Sequence, residues 1–177
     1  VLGLSGPGVL ASEMVLKMNK QPIIFALANP DPEINPSDAL KVAPDALIAT
    51  GRSDYPNQVN NVLCFPYIFR GALDVGATQI NDEMKLACIH AIANLARQTS
   101  TAETVEAYQG EILKFGKEYL IPKPFDPRLL PNVAVAVAEA AMKSGVASRP
   151  LKDVEAYKQK LEGSVYKLSL IHISEPT

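Results

Sequence analysis

Asparagine side chains beside predicted strand ends are the groups in this 177-residue sequence best suited to hold a small acid. Asn29 follows the apolar run 22–28, and Pro30 favours an extended backbone that presents the Asn29 amide at the rim of a crevice. An amide donates to a carboxylate oxygen and accepts from a hydroxyl without adding charge. An Asx turn that closes the strand is the alternative, and Asn29 taken alone favours it.

Three further asparagines, Asn57, Asn60 and Asn61, lie where a later helix is predicted to begin. Asparagine is a favoured N-cap residue, and the N-terminus of a helix attracts anions. We therefore expect one of the three to act as a cap. The tandem pair would supply neutral donors to the same crevice as Asn29.

Charged side chains offer fewer candidates. Arg52 and Arg70 could bind a carboxylate or phosphate through bidentate hydrogen bonds, but pairing with Asp54 and Asp74 is at least as good an interpretation. His90 lies off the apolar stripe of its predicted helix and is interpreted as a surface residue. No Ser/His/Asp, Cys/His or metal-ligand set can be assembled from the sequence, so we assign no catalytic residue and no metal ligand.

The composition narrows the class of protein. A hydrophobic content of 47% supports a buried core, and a net charge of −2 without any basic block argues against nucleic acid or an anionic membrane as partner. The apolar runs 23–28 and 133–138 are far shorter than the ~20 residues of a membrane span. Cys64 and Cys88 alone make no disulfide framework. We expect a soluble protein of the cytoplasm.

Three uniformly apolar segments predict buried strands, at 1–4, 22–28 and 46–50. Helix-sized crossovers separate them, one with Ser12 as its expected N-cap and one over 36–42. This order predicts an α/β fold with a doubly wound, Rossmann-like parallel sheet. Ligands of such sheets bind beyond the carboxyl ends of the strands, here at Ser5, Asn29 and Gly51. The glycines after the first strand do not form a G-x-G-x-x-G fingerprint.

Helices are predicted over most of the remaining sequence, at 60–75, 81–97, 104–115, 128–143 and 154–161. Pro66 predicts a break in the first of them. The second has an apolar stripe at helical spacing. Prolines in 121–127 predict a fixed loop. The alternation of valine and alanine over 133–138 would suit a strand, but the alanine content of the region and Gly145 at a C′ position favour a helix.

Four segments resemble bacterial malic enzymes, and together the resemblance covers residue 1 to about 161. They are 4–10 (LSGPGVL), 23–33 (IIFALANPDPE), 48–74 and 119–128 (YLIPKPFDPR). The resemblance implies that 1–75 is the C-terminal half of an NAD(P)-binding domain. It also implies that 76–163 is the helical C-terminal part of the malic enzyme domain.

A malic enzyme oxidises L-malate with NAD or NADP and decarboxylates the product to pyruvate and CO₂, using Mg²⁺ or Mn²⁺. The resemblance also implies a homo-oligomer for the full-length enzyme. Carried over position by position, it places Asn29, Asn60 and Asn61 at the substrate. The residues it places beside the cofactor are Ser5, Gly6, Pro7, Asn29 and Asn60. The acid/base pair and the metal ligands of the family lie before Val1, so we expect the isolated chain to be inactive.

Two other functions stay open: a non-catalytic module that binds dinucleotides or small acids, and a different NAD(P)-linked dehydrogenase. The preference for NAD or NADP, and the presence of a following phosphotransacetylase-like domain, cannot be read from this sequence. Residues 168–177 match the translation of a sequencing adapter. We expect this segment, including His172, to carry no function.

Overall fold

The computed structural model describes residues 1–99, 105, 108 and 113–173, with side chains up to residue 165. The chain divides into two compact units. The first comprises Val1–Asn60 and Phe115–Lys123, and the second Asn61–Lys114 and Pro124–Thr177. These units follow packing within the chain, and the domain division at residue 75 stays a prediction about the intact protein.

A parallel sheet of three strands forms the centre of the first unit. The strands are β1 (Leu2–Gly3), β2 (Ile23–Ala26) and β3 (Leu47–Thr50), paired in the order β1-β2-β3. The register places Gly3 beside Ala26 and Ala26 beside Thr50. Ile24 and Ala26 are buried, as the apolar run predicted, whereas Ile23 at the start of β2 is exposed. The predicted α/β fold is confirmed.

Two short helices connect the strands, α1 (Ser12–Val15) and α2 (Pro36–Val42). Val15 and Ala39 on these helices share one apolar core with Ile24 and Ile48 of the sheet. The predicted range of α2 is confirmed, and its N-cap Asn35 accepts a 3.0 Å hydrogen bond from the Ser37 N–H. The expectation that Ser12 caps α1 is wrong. Ala11 holds the N-cap position without a side-chain bond.

The second unit is helical. Its elements are a 3₁₀ helix (Asn61–Leu63), α3 (Phe65–Asp74), α4 (Asp82–Arg97), α5 (Leu129–Lys143) and α6 (Val154–Ile173). The predicted break at Pro66 is confirmed, because α3 begins at Phe65 with the proline in its first turn, where a missing N–H costs nothing. The region 133–138 is helical, and Gly145 adopts a φ of +75° just beyond the C-cap of α5.

Close helix contacts build the core of this unit. Gly71 of α3 lies so near α5 that an added Cβ would collide with the carbonyl oxygen of Ala134 and the Cβ of Val137. Met84 and Leu95 of α4 are fully buried, in agreement with the predicted stripe. The apolar sequence of α3 would suit a buried helix, but three of its large apolar side chains are exposed: Phe65, Phe69 and Leu73.

Helix α6 extends well beyond the predicted end at residue 161. Gly163 is tolerated within it at a cost of about 1 kcal/mol, and the next proline is Pro176. The predicted helix 104–115 lies largely outside the described residues. Within the described part of the chain, no helix combines the length and the apolarity needed to cross a membrane.

Candidate functional site

The carboxyl ends of the three parallel strands lie at one edge of the sheet, and the loops that follow them are tied together. The backbone N–H groups of Gly8 and Leu10, in the loop after β1, donate to the carbonyls of Pro32 and Glu33, at 3.3 and 3.0 Å. Those carbonyls belong to the loop after β2. The two loops therefore form one connected rim at this edge.

Asn29 lies on this rim and is exposed. Its side chain covers Gly51 at the end of β3, where an added Cβ would stand 3.0 Å from the Asn29 Oδ1. Its Nδ2 donates a long, 3.5 Å hydrogen bond back to the Leu27 carbonyl. The peptide bond between Asn29 and Pro30 is cis. A weakly held, exposed amide can turn to a ligand with little loss of internal bonding.

The loop predicted to run beside the cofactor begins directly after β1. Ser5 and Pro7 are exposed, and Gly6 is half-buried. Gly8 adopts a φ of +70°, a conformation that favours glycine, so the chain turns sharply there. The open backbone of this loop would allow a ligand to approach it closely.

Glu33 is the functional candidate that the sequence analysis missed. Its side chain is 2% exposed, and its two carboxylate oxygens accept hydrogen bonds from the N–H groups of Ser5 (2.9 Å) and Ala28 (3.1 Å). Burial alone would raise the pKa of this carboxyl, but the backbone N–H donors outweigh it and hold the pKa below its ordinary value. In the sequence, Glu33 stands in a polar loop after two prolines and resembles a solvated acid.

Hydrogen bonds of the two preceding residues place Asn60 at the same edge of the sheet. Gln58 pairs with Thr50 as a parallel bridge, and its Nε2 donates to the Gly51 carbonyl at 3.2 Å. The N–H of Val59 donates to the Thr50 carbonyl at 2.8 Å. Asn60 follows directly and is half-buried. Asn61 is exposed and begins the 3₁₀ helix of the second unit.

Asn57 has a different role from the cap or ligand that its position suggested. It is buried in the first unit with a φ of +58°. Its Nδ2 donates to the carbonyls of Ile48 (2.9 Å) and Lys117 (2.8 Å), and its Oδ1 accepts from the Leu120 N–H (2.7 Å). Asn57 therefore cross-links the loop after β3 to a segment that comes some 60 residues later.

Both candidate arginines pair with acids. Arg52 makes a bidentate contact with Asp54, at 2.8 Å for each bond, and this contact lowers the pKa of the Asp54 carboxyl. Arg70 binds Asp74 at 2.6 Å, and the Tyr157 hydroxyl donates to the same carboxylate. Ion pairing is thus the interpretation that the structure confirms.

The remaining candidates form no catalytic set. His90 is exposed on α4, as predicted. Cys64 and Cys88 are free thiols with their sulfur atoms 3.4 Å apart, and burial raises the pKa of Cys88 to about 12. Among the described residues, no three His, Cys, Asp or Glu side chains gather in a way that could hold a metal ion. The divalent cation implied by the resemblance therefore stays a proposal about the intact enzyme.

Known malic enzymes match most of this chain. Residues 1–108 match the family model described as "Malic enzyme, NAD binding domain". The chain is 63% identical to the NADP-dependent malic enzyme of Salmonella typhimurium over 169 residues, and 56% identical to the NAD-dependent malic enzyme of Rhizobium meliloti over 170 residues. Each alignment covers 96% of this chain but 22% of the relative, so the chain spans about a fifth of those proteins' length.

Solved malic enzymes share the fold as well as the sequence. The crystal structure from Pyrococcus horikoshii superimposes with a TM-score of 0.72 at 42% identity, covering 94% of this chain and 34% of that one. The Entamoeba histolytica enzyme gives a TM-score of 0.75 at 33% identity, with 97% and 34% covered. The family match over more than half of the chain shows that this chain belongs to the malic enzyme family.

Proposed function

We propose that this chain is part of an enzyme that converts L-malate and NAD(P)⁺ to pyruvate, CO₂ and NAD(P)H. The observation that carries the proposal is the exposed, loosely held Asn29 amide at the carboxyl ends of parallel strands in a malic enzyme NAD-binding domain. When bound, NAD(P)⁺ would supply the hydride acceptor for oxidation of malate at C2. This chain contributes groups that position the reactants.

In this proposal Asn29 donates its Nδ2–H to a malate carboxylate and keeps its Oδ1 as an acceptor for the substrate hydroxyl. Neutral amides suit this task because they bind an anion without adding a charge that would disturb nearby acid/base groups. Asn61 is the stronger substrate candidate of the tandem pair, since its side chain is exposed while that of Asn60 is half-buried. Asn60 and the Ser5, Gly6 and Pro7 loop would lie beside the cofactor.

Further features belong to the intact enzyme. We propose a requirement for Mg²⁺ or Mn²⁺, a homo-oligomeric assembly and a cytoplasmic location, with neither nucleic acid nor membrane as a partner. Relatives named as NADP-dependent and NAD-dependent are similarly close to this chain, so both nucleotides are candidates.

The test is malate-dependent reduction of NAD⁺ and NADP⁺ by the full-length protein that contains this chain, with Mn²⁺ present. The proposal expects turnover with L-malate and release of equal amounts of pyruvate and CO₂. Binding of malate or dinucleotide without turnover would identify a non-catalytic module. Turnover with another hydroxy acid and none with malate would identify a different dehydrogenase.

We also expect the isolated 177-residue chain to show no malate-dependent activity, because neither sequence nor resemblance assigns it an acid/base residue or a metal ligand. The measurement is the same assay on the purified chain beside the full-length protein. Malate-dependent reduction of either nucleotide by the isolated chain would show that the chain contains catalytic groups as well as positioning groups.

A further inference from the structure

The Glu33 carboxylate joins the two loops of the rim at one point. One oxygen accepts from the Ser5 N–H and the other from the Ala28 N–H. Ser5 is the first residue of the loop proposed to run beside the cofactor, and Ala28 directly precedes Asn29, the proposed substrate ligand. A single buried side chain thus fixes the backbone where both proposed binding segments begin.

The sheet makes room for this carboxylate. Gly3 of β1 lies directly against it, and an added Cβ would stand 2.6 and 2.8 Å from the two carboxylate oxygens. Any side chain at position 3 would therefore displace the Glu33 carboxylate from its donors. The backbone carbonyl of Glu33 also accepts from the Leu10 N–H, so this residue holds the rim through its main chain as well.

We propose that Glu33 is a positioning residue that sets the distance between the cofactor loop and Asn29, and hence between nicotinamide and substrate. This inference rests on the proposed function. Hydride transfer depends steeply on geometry, and a misplacement of about 1 Å can cost about 100-fold in rate. The carboxylate needs no contact with substrate for this effect, because it acts through the two N–H groups that it holds.

The matched test compares Glu33→Gln with Ile34→Val in the full-length enzyme. The glutamine keeps one acceptor oxygen but turns an NH₂ group toward the second N–H, whereas Ile34 is a neighbouring residue whose buried side chain belongs to the apolar core of the unit. At a temperature where both variants are folded, we expect Glu33→Gln to lower kcat/KM for malate by about 10- to 100-fold, with part of the loss in kcat. Ile34→Val should stay within about twofold of the parent.

Nucleotide affinity provides a readout that does not require malate turnover. We expect Glu33→Gln to weaken binding of NAD⁺ or NADP⁺, measured by titration calorimetry, and Ile34→Val to leave it unchanged. If the parent enzyme turns over malate but Glu33→Gln matches Ile34→Val in both measurements, the positioning role is wrong and the proposed function stands. If the parent fails to turn over malate, the proposed function is wrong, and nucleotide affinity alone decides the role of Glu33.

Gly3→Ala tests the same contact without changing the carboxyl, and it replaces Glu33→Gln if that variant does not fold. We expect it to reproduce the loss in kcat/KM. The double variant should then be no worse than the poorer single one, because both changes break one contact. Parent-like kinetics in a folded Gly3→Ala enzyme, or additive losses in the double variant, would overturn the proposal.

Discussion

Asn29 and Asn57 are the same residue type in the same compact unit, and the fold uses them in opposite ways. Asn57 is 6% exposed, and its amide makes three hydrogen bonds of 2.7 to 2.9 Å to the backbone. Asn29 is exposed, with a bond of 3.5 Å to Leu27. An amide whose two N–H donors are both engaged has little capacity left for a ligand. The degree of internal bonding thus distinguishes the structural Asn57 from Asn29, the proposed substrate ligand.

The largest expected effect is on stability. Asn57→Ala would leave the buried Ile48 carbonyl and the part-buried Leu120 N–H and Lys117 carbonyl without this partner, and a buried group left unsatisfied costs about 1 to 3 kcal/mol. We expect the free energy of unfolding to fall by about 3 kcal/mol, measured by urea denaturation of the full-length protein. Malate kinetics well below the transition should stay within about twofold of the parent. Lost kinetics with full stability would reverse the roles of the two asparagines.

The reciprocal change concerns binding. Asn29→Ala removes the proposed donor to a malate carboxylate, and such a bond is worth about 1.5 to 3 kcal/mol, so kcat/KM for malate should fall by about 10- to 150-fold. The melting temperature should be unchanged, because the side chain is exposed. Asn61→Ala is expected to behave in the same way. Steady-state kinetics beside thermal melts of the full-length variants provide the check, and normal kinetics with a lowered melting temperature would identify structural caps.

Protein stability at low pH tests the hydrogen bonds that the backbone donates to the Glu33 carboxylate. The folded-state pKa of Glu33 lies below its ordinary value of 4.5, so its stabilising effect is present above that value and is lost as the pH falls through the folded pKa. The stability gap between the parent and Glu33→Gln should therefore narrow as the pH is lowered from neutral to values below 4.5. Thermal melts across this range measure it. A gap that does not change with pH would show that the Glu33 charge plays no part.

The smallest expected effect is at the C-terminal end. Deletion of residues 168–177 should change the free energy of unfolding by no more than roughly 0.5 kcal/mol, the usual range for surface changes. Part of this segment continues α6, which runs to Ile173. A larger loss on deletion, measured by the same denaturation, would show that the segment packs as a native part of the helix and is not adapter-derived.

Local patterns predicted most of the fold. The apolar run at β2 and the alanine-rich run at α5 each bury enough surface to determine their own element, and Pro66 marks the start of α3 through its missing N–H. The wrong predictions of helix ends also have physical causes. Helix α6 continues past the predicted end at residue 161 because no strong breaker follows before Pro176, and Ser12 was predicted as a cap although the helix already includes it.

The candidate site was harder to predict from sequence because its roles depend on distant partners. Asn29 could be proposed from the sequence because it follows a recognisable strand. Asn57 was grouped with the next helix, although its bonds reach Lys117 and Leu120. Glu33 was missed because a carboxylate held by backbone N–H groups has no cationic partner type to search for in the sequence. Only the fold shows that Gly3 leaves space for it.

Residues 115–123 belong to the first unit although α3 and α4 precede them in the chain, which makes that unit a discontinuous domain. During synthesis on the ribosome, the three strands emerge long before the segment to which Asn57 is hydrogen-bonded. Its partners Lys117 and Leu120 lie 60 and 63 positions later in the chain. The closing step of this domain therefore waits until synthesis has passed residue 120. A gene cut after residue 108, where the family match stops, would encode all three strands of the described sheet but not Lys117 and Leu120, which bind the Asn57 amide. Anyone dividing the protein for expression should place the cut beyond residue 123.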